Sequence, residues 1–306
     1  MREQNFVLMV GLPGSTKSTY AAQLAEEGYI IHASDAIRAE LGDETDQSKN
    51  TEVFDILYKR VKEDLQNGKN VIMDATNLRR KHRIHLLRML QRIKCYKKCI
   101  MMCVPFEECL TNNASRERQV PDEVMWEMLG NFQMPCRSEG WDDIEFYYPK
   151  PEYEGYYGDP FEEINSLREY DQGNSHHKLS LGSHMERAGQ WYLANHGSFE
   201  DVAVAAYMHD IGKPYCRTET NIKGENDGES HFYNHHSSGA YLSLFFNMEN
   251  FPWIDKKYVA LLIELHMRPY LEWKASEQKL WKDTVLFGEK TISDTYKIHD
   301  CDLAAH

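Results

Sequence analysis

Several features that mark other classes of protein are missing from this sequence. No apolar run approaches the roughly 20 residues that a membrane-spanning helix needs. The N-terminal stretch MREQNFVLMVGLPG has no signal-peptide cleavage pattern, and internal repeats and low-complexity tracts are lacking. The lack of a long apolar run argues against a membrane protein, and the lack of internal repeats argues against a repeat protein. We therefore expect a folded, cytoplasmic protein with no membrane partner.

The cysteines lack the pairing that would indicate a disulfide framework or a metal site. Seven cysteines are scattered through 306 residues, an odd number in a long chain. Cys95, Cys99 and Cys103 recur every four residues, but they form no tight pair and no histidine lies among them. We expect reduced cysteines with a structural role.

Positive charge is scarce overall but concentrated in one place. The formal net charge of -13 argues against a protein that coats nucleic acid with its whole surface. No acidic residue lies between Asp74 and Glu107, however, and basic residues crowd into positions 79–98. This basic segment is either a solvated helix face or a contact for a phosphate backbone, and both interpretations stay open.

The length of the chain and its changing pattern predict two domains. In residues 1–145, strand-like runs such as NFVLMV and NVIMDA alternate with amphipathic helical segments, which is typical of a parallel sheet with helices on both faces. Residues 146–175 are acidic, rich in tyrosine and without a sustained period, so we predict a linker there. Successive helical segments in residues 176–306 predict an all-α domain.

The segment GLPGSTKST, residues 11–19, lies between the first predicted strand and the first predicted helix. It follows the P-loop pattern, in which backbone N–H groups surround the phosphates of a nucleotide. The expected nucleotide-binding residues are Gly11, Gly14, Ser15, Thr16, Lys17, Ser18 and Thr19. Lys17 would reach the β- and γ-phosphates, and the Ser18 hydroxyl would help to hold magnesium.

Thr16 departs from the P-loop pattern, which has glycine before the lysine. If this position needs a backbone geometry that is costly for a β-branched residue, the affinity for ATP or the rate falls. If the backbone is helical, the change is mild.

Three further polar segments belong to the predicted α/β domain. HASDAIRAEL places Asp35 and Arg38 one helical turn apart after the second strand, and VIMDATNL places Asp74 at the end of another strand. At the carboxyl edge of a parallel sheet, Asp35 would accept a proton from an attacking hydroxyl, Arg38 would clamp a substrate phosphate, and Asp74 would order magnesium or position a substrate-binding residue. An alternative role for Asp35 is a helix N-cap. Arg116 and Arg118 lie on a predicted lid, NNASRERQVPDEVM, from which either could supply charge to the transition state.

Together, GLPGSTKST, SDAIR, DATN and the SRERQVPDEV lid resemble the kinase module of the polynucleotide 5′-hydroxyl kinase family, which phosphorylates 5′-OH ends of RNA or DNA. The resemblance covers about the first half of the chain. It implies binding of ATP or another nucleoside triphosphate with magnesium. The residues that it implies are the triphosphate and magnesium ligands Lys17 and Ser18, the general base Asp35, the acceptor-phosphate contact Arg38, and a lid arginine at Arg116 or Arg118.

The second half carries a set of histidines and aspartates on separate predicted helices. The candidate metal ligands are His184, His209, Asp210, His235, His266 and Asp302. The adjacent His209 and Asp210 would point about 100° apart on a helix, so both can ligate only an ion that lies between helices. Imidazole and carboxylate ligands in this mixture suit iron, manganese, nickel, cobalt or zinc better than magnesium.

This order of residues, a histidine, then HD, then two histidines, then an aspartate, resembles the HD phosphohydrolase family over residues 176–306. The resemblance implies one or two divalent transition metals that activate water for attack on phosphorus. It implies primary ligands at His184, His209, Asp210 and Asp302, ligands of a second ion at His235 and His266, and a phosphate contact at Lys213.

One predicted module adds a phosphate to a hydroxyl and the other removes phosphate from an ester. Both operations are needed to convert a 5′-OH and a 3′-phosphate or 2′,3′-cyclic phosphate into ends that a ligase can join. The sequence is similar to bacterial end-healing proteins that combine the two modules, although in those the HD module comes first. We therefore expect an end-healing enzyme that acts on nucleic-acid ends, RNA rather than DNA, with a ligase as a candidate partner.

Three other functions stay open at this point. The first is a small-molecule or nucleoside kinase fused to an HD nucleotide phosphohydrolase. The second is a nucleic-acid-binding protein with an inactive kinase module, and the third is a signalling enzyme that hydrolyses a cyclic nucleotide.

Overall fold

The computed structural model describes residues 4–42, 49–175 and 178–306, which divide into two compact units. The first unit contains the described residues up to Val120 together with Pro135–Pro149. The second contains Pro121–Met134 and Lys150–His306. The chain thus leaves the first unit after Val120 and returns to it at Pro135, an excursion that the boundaries expected from the sequence do not include.

The first unit is built on a parallel sheet of five strands. The strands are β1 (Asn5–Val10), β2 (Ile30–Ala33), β3 (Val71–Asp74), β4 (Tyr96–Met102) and β5 (Asp143–Tyr147), in the spatial order β2-β3-β1-β4-β5. In the central strand β1, Met9 lies opposite Asp74 of β3 and Ile100 of β4. The carboxyl ends of β1 and β3 therefore open at the same edge of the sheet.

Helices accompany these strands in the alternating order that the sequence predicts. They are α1 (Lys17–Ala25), α2 (Ser34–Glu40), α3 (Asn50–Gln66), α4 (Arg80–Met89) and α5 (Phe106–Ala114). In α3 the buried positions Val53, Leu57, Val61 and Leu65 recur every four residues, which is the apolar stripe of an amphipathic helix.

The basic segment, residues 79–98, contains α4 and the beginning of β4. For two of its arginines, both the solvated helix face and the phosphate-backbone contact are wrong. Arg80 and Arg83 are buried. Arg83 donates in two-pronged fashion to Glu139, with distances of 2.8 Å from Nε to Oε2 and 2.7 Å from Nη2 to Oε1. Trp141 adds a third hydrogen bond to the same carboxylate, from Nε1 to Oε2 at 3.0 Å. These arginines therefore hold the unit together, whereas Arg88 on the same helix is exposed.

The second unit is helical, and the predicted fold class is confirmed. Its helices are α6 (Asp122–Gly130), α7 (Pro160–Ser166), α8 (Leu181–His196), α9 (Asp201–Met208), α10 (His235–Ser243), α11 (Lys256–Leu265), α12 (Glu277–Phe287) and α13 (Glu289–Ala305). A short antiparallel pair, β6 (Arg217–Thr218) and β7 (His231–Phe232), was not expected from the sequence. No helix in the described part of the chain combines the length and apolar character that crossing a bilayer requires.

The segment predicted as a linker, 146–175, is largely folded. It contains the end of β5, the helix α7 and two short 3-10 turns, and most of it lies in the second unit. Tyr153, Ile164 and Leu167 bury their side chains there. Because these residues lie on short elements of different type, their spacing shows no single period that could be recognised in the sequence.

Candidate functional sites

The first candidate site is the loop between β1 and α1. The N–H of Ser15 donates to the carbonyl of Leu12 at 3.1 Å, which closes a tight turn. Gly14 has a φ of 78°, and a Cβ at this position would collide with the backbone carbonyl of Cys109. The N–H of Gly11 donates to the carbonyl of Thr76 at 3.0 Å, which ties the loop to the segment after β3. The loop therefore has the glycine-dependent turn, after a strand and before a helix, of a phosphate cradle.

Thr16 has a left-handed backbone, with φ 61° and ψ 13°, and it is the N-cap residue of α1. A residue with a Cβ in this region costs roughly 1–2 kcal/mol, and β-branching adds to the strain. Of the two geometries considered for Thr16, the structure has the costly one. The helix nevertheless starts normally, since the N–H of Tyr20 donates to the carbonyl of Thr16 at 3.1 Å.

Lys17 lies over the loop and donates from Nζ to the carbonyl of Leu12 at 3.2 Å. Burial lowers the pKa of Lys17, while the charges of Asp74 and Asp35 act in the opposite direction. Ser18 and Thr19, the other predicted contacts in the first turn of α1, are exposed. A cation and two hydroxyl groups are thus presented at the beginning of the helix.

Two buried oxygen atoms near this loop lack hydrogen-bond partners among the described residues. They are Oγ of Ser15 and Oδ1 of Asp74, the last residue of β3. A buried polar atom without a partner costs free energy, so its persistence favours a ligand that completes it. The residues present therefore fit a nucleotide with magnesium, with Lys17 toward the phosphates and with Ser18 and Asp74 toward the ion.

The acceptor side of this site centres on Asp35, near the start of α2. Nη1 of Arg38 lies 3.0 Å and Nη1 of Arg118 3.4 Å from the same oxygen, Oδ1 of Asp35. Arg38 is buried and donates from Nη2 to Asn50 at 2.6 Å, whereas the Asp35 side chain is 55% exposed. The structure thus brings the predicted base, the predicted clamp and one predicted lid arginine together, and the charge of Arg116 acts on Lys17.

The alternative role of Asp35 as a helix cap is wrong. The N-cap of α2 is Ala33, and no side chain hydrogen-bonds to the first turn as a cap. Asp35 is the second residue of the helix, so its carboxylate is available to the arginines.

The second candidate site lies where five helices of the second unit meet. His184 lies on α8, His235 begins α10, His266 follows α11, and Asp302 lies on α13. His209 and Asp210, expected on a helix, instead lie in the turn that follows α9. All six side chains are buried. The structure therefore brings together the whole predicted set from positions that are up to 118 residues apart in the chain.

Asp210 is the centre of this cluster. Its Oδ2 lies 3.5 Å from Nε2 of His184 and 3.4 Å from Nε2 of His209. Its Oδ1 lies 3.2 Å from Nε2 of His235 and 3.8 Å from Nε2 of His266. The two oxygens thus face two separate pairs of histidines, so each oxygen would be available to an ion held by its own pair.

The orientation of three of the rings is set by the backbone. Nδ1 of His209, His235 and His266 each lies 2.7 or 2.8 Å from the carbonyl oxygen three residues earlier in the chain. Since a carbonyl only accepts, each Nδ1 carries a proton and donates, which leaves Nε2 as the lone-pair nitrogen that faces the cluster.

Asp302 completes the first pair of histidines. Its Oδ1 lies 3.0 Å from Nε2 of His184 and 3.6 Å from Nε2 of His209, and its Oδ2 accepts a hydrogen bond from the Tyr270 hydroxyl at 3.0 Å. The sequence analysis missed His306, whose Nε2 lies 3.4 Å from Oδ1 of Asp302. The sequence does contain an indication of this residue, because His306 follows Asp302 by four residues and would lie on the same face of a helix.

The donor set fits divalent metal ions. Three groups of ligand atoms lie within 4.8 Å of one another: His184 with His209 and Asp210, His184 with Asp302 and His306, and Asp210 with His235 and His266. Nitrogen ligands about 2.0–2.1 Å from one ion lie roughly 3.0–3.4 Å apart, close to most of the separations seen here. Burial raises the pKa of the Asp210 carboxyl, but the opposing effects, with the charge of Lys213 the largest of them, hold that pKa well below its usual range. Asp210 is therefore ionised, which is the form in which a carboxylate binds a cation.

Lys213 begins the short 3-10 turn Lys213–Tyr215 that follows the HD pair. Its Nζ lies 2.7 Å from Oδ2 of Asp210, and its side chain is buried. The predicted phosphate contact thus lies against the central carboxylate of the cluster.

Two family models match parts of the chain. Residues 6–135 match the AAA domain family and residues 179–283 match the HD domain family. The L-seryl-tRNA(Sec) kinase of Methanococcus maripaludis is 28% identical over 142 residues, which are 44% of this chain and 55% of that protein. The chain therefore spans about half the length of this curated relative.

Solved structures that resemble the chain are more distant. A chain of the Pnkp1/Rnl/Hen1 RNA repair complex is 20% identical with a TM-score of 0.37, over 42% of this chain and 43% of that one. A gluconokinase from Sinorhizobium meliloti 1021 is 16% identical with a TM-score of 0.37, over 49% of this chain and 86% of that one. The family matches, taken with the sheet and the helical unit, show that the chain combines a P-loop kinase-like AAA domain with an HD domain, and these domains support kinase and hydrolase activity.

Proposed function

We propose that this protein heals the ends of broken nucleic acid, RNA rather than DNA. The first unit would phosphorylate a 5′-OH end, and the second would remove a 3′-phosphate or a 2′,3′-cyclic phosphate. The observation that carries the proposal is that one chain holds two clusters of polar side chains. In one, two arginines lie beside the exposed carboxylate of Asp35, and in the other, four buried histidines surround Asp210.

In the first unit, the exposed Asp35 is accessible to a hydroxyl of a large substrate. The acceptor oxygen forms a bond to the γ-phosphorus, the bond from that phosphorus to ADP breaks, and the hydroxyl proton passes to Asp35. Arg38 and Arg118 neighbour the carboxylate and would bind a phosphate of the acceptor beside the reacting hydroxyl. A polynucleotide 5′ end has such a phosphodiester one nucleotide away from its hydroxyl.

The curated relative supports an acceptor carried by RNA. Its name describes a kinase of L-seryl-tRNA(Sec), so a protein with 28% identity over 142 residues is named for phosphorylating a group attached to RNA. This precedent favours RNA over DNA as the substrate of the first unit.

In the second unit, the cluster would hold one or two divalent transition metals through His184, His209, Asp210 and Asp302 on one side and His235 and His266 on the other. The chemistry that such ions supply is Lewis-acid activation of phosphorus and of water. The chain contributes the fixed imidazole orientations, the exclusion of bulk water, and the ammonium of Lys213 toward a substrate phosphate.

One observation favours a second candidate, a small-molecule or nucleoside kinase fused to an HD nucleotide phosphohydrolase. Arg80 and Arg83 are buried against Glu139, so two cations of the basic segment are withdrawn from any nucleic-acid contact. A small acceptor would not need that basic surface.

The experiment that tests the proposal uses an RNA with a 5′-OH and a 2′,3′-cyclic phosphate, incubated with ATP, Mg²⁺ and Mn²⁺. Mapping both ends should show a new 5′-phosphate that is lost in Lys17→Ala and a healed 3′ end that is lost in Asp210→Ala. Each variant serves as the control for the other, since the two sites share no residue. Phosphorylation of a free nucleoside but not of the oligonucleotide would favour the second candidate, and the same assay with DNA of equal sequence tests the preference for RNA.

A further inference from the structure

Two polar groups of the HD site lie close to the ammonium of Lys213. Its Nζ lies 2.7 Å from Oδ2 of Asp210 and donates to Oε1 of Gln172, also at 2.7 Å. The ring of Phe232 lies 5.4 Å from the same ammonium. The lysine is thus shared between a carboxylate of the metal cluster and the neutral amide of Gln172, a residue without a role in the sequence analysis.

The amide of Gln172 is held in one orientation by its partners. Its side chain is 1% exposed, and its Nε2 donates to the carbonyl of Leu179 at 3.1 Å. An ammonium can only donate and a backbone carbonyl can only accept, so the oxygen of the amide must face Lys213 and the nitrogen must face Leu179. Each end of the side chain therefore has a distinct and separable contact.

The loop that carries Gln172 is anchored to the β6 and β7 pair. Nη1 of Arg217 donates to the carbonyl of Asp171 at 2.9 Å, and the N–H of Ser230 donates to the carbonyl of Gly173 at 2.8 Å. Gly173 has a φ of 61°, and a Cβ there would meet Oγ of Ser230. The backbone on both sides of Gln172 is therefore fixed, so the amide can hold the ammonium in a defined place.

We infer that Gln172 is a positioning residue of the HD site, which holds the Lys213 ammonium in place for contact with a substrate phosphate and shares it with Oδ2 of Asp210. The inference rests on the proposed hydrolase function of the second unit. Without an acceptor at position 172, the ammonium would interact with Oδ2 of Asp210 alone, which already lies 2.7 Å away, and it would compete more strongly with a cation for that oxygen. Loss of the acceptor should therefore weaken both phosphate contact and metal binding.

Two substitutions separate this role from a structural one. Gln172→Met keeps the size of the side chain but removes both contacts, whereas Gln172→Glu keeps an acceptor for Lys213 and removes the donor to Leu179. We expect Gln172→Met to lower kcat/KM for a chromogenic phosphate monoester by about tenfold or more, as the loss of supporting contacts around metal ligands does. Gln172→Glu should retain most of that activity. Titration with Mn²⁺ alone should show a higher Kd in Gln172→Met than in the wild-type protein, and kinase activity measures folding of the first unit in each variant.

A double-mutant cycle with Lys213→Met tests whether Gln172 acts through the lysine. If it does, adding Gln172→Met to Lys213→Met should change kcat/KM by less than about twofold. Equal losses in Gln172→Met and Gln172→Glu, or additive losses in the cycle, would show a structural role and overturn the inference. If the wild-type protein hydrolyses the ester and Gln172→Met has no effect, the inference is overturned but the proposed hydrolase function stands. If no divalent transition metal supports hydrolysis by the wild-type protein, both the proposed hydrolase function and the inference are overturned.

Discussion

The phosphate loop and the HD cluster are built in opposite ways. The loop is a contiguous stretch, residues 11–19, and it is shaped by backbone hydrogen bonds and one obligatory glycine. The HD cluster takes side chains from five helices or the turns that follow them, and a single carboxylate, Asp210, contacts both pairs of histidines. The shape of a site made of backbone depends less on any one side chain, although Thr16 has a costly left-handed backbone, whereas a site made of side chains depends on each of its central groups.

The largest expected effect follows from that dependence. Asp210→Ala should reduce the hydrolase activity by more than about a thousandfold, because the shared ligand of both histidine pairs is lost and Lys213 stays buried without its carboxylate. Kinase activity should be unchanged, which a 5′-end labelling assay measures. Retention of hydrolysis would contradict the central place of Asp210.

The two halves of the cluster should be distinguishable by metal content. His235→Ala removes a histidine on the Oδ1 side of Asp210, so it should remove about one of two bound ions. His184→Ala, on the Oδ2 side and next to Asp302, is the matched variant. Metal analysis of dialysed protein checks the stoichiometry, and equal loss of all metal in both variants would argue against two separable ion positions.

The first unit contains a buried ion pair between Arg83 and Glu139. Removing it should lower the stability of the unit rather than its catalytic activity. Glu139→Gln leaves Arg83 buried without its carboxylate, which should lower the free energy of unfolding of this unit by about 3–5 kcal/mol. Denaturant unfolding measures the change, with Arg88→Gln on the exposed side of the same helix as a control of small effect. A loss no larger than that of the control would show that Gln satisfies Arg83 as well as Glu does.

The same carboxylate predicts a dependence on pH. Burial raises the pKa of Glu139, but the charges and hydrogen bonds of Arg83, Arg80 and Trp141 outweigh it, and the folded-state pKa lies below the usual value. A depressed pKa contributes stability that is present above the unfolded pKa of about 4.3 and is lost as the pH falls through the folded value. Unfolding of wild-type protein between neutral pH and about pH 3 should show this loss on the acid side, and Glu139→Gln should flatten it.

The smallest expected effect concerns the loop. Thr16→Gly should relieve about 1 kcal/mol of strain at a φ of 61° and should raise kinase activity or ATP affinity modestly. Thr16→Ala, which keeps a Cβ but removes the branch, should lie between the wild-type protein and Thr16→Gly. If the wild-type protein has no kinase activity and Thr16→Gly restores it, the result would favour the alternative of a nucleic-acid-binding protein with an inactive kinase module.

Much of the architecture was predictable because it is encoded in short-range periodicity. The apolar run of β1, the stripe from Val53 to Leu65 in α3 and the glycine loop are each recognisable within about 20 residues. The parallel α/β unit, the helical unit and the identity of the six cluster residues followed from such local patterns and from motif resemblance.

What the sequence by itself determined is therefore the type of each element and the kinds of side chain available for chemistry. Only the tertiary structure decided that Arg80 and Arg83 are buried against Glu139, that residues 121–134 belong to the second unit, and that Gln172 contacts Lys213. The physical reason is that helix and strand patterns arise from neighbours in the chain, whereas these ion pairs and ligand clusters join residues far apart in the sequence, whose meeting depends on how whole elements pack.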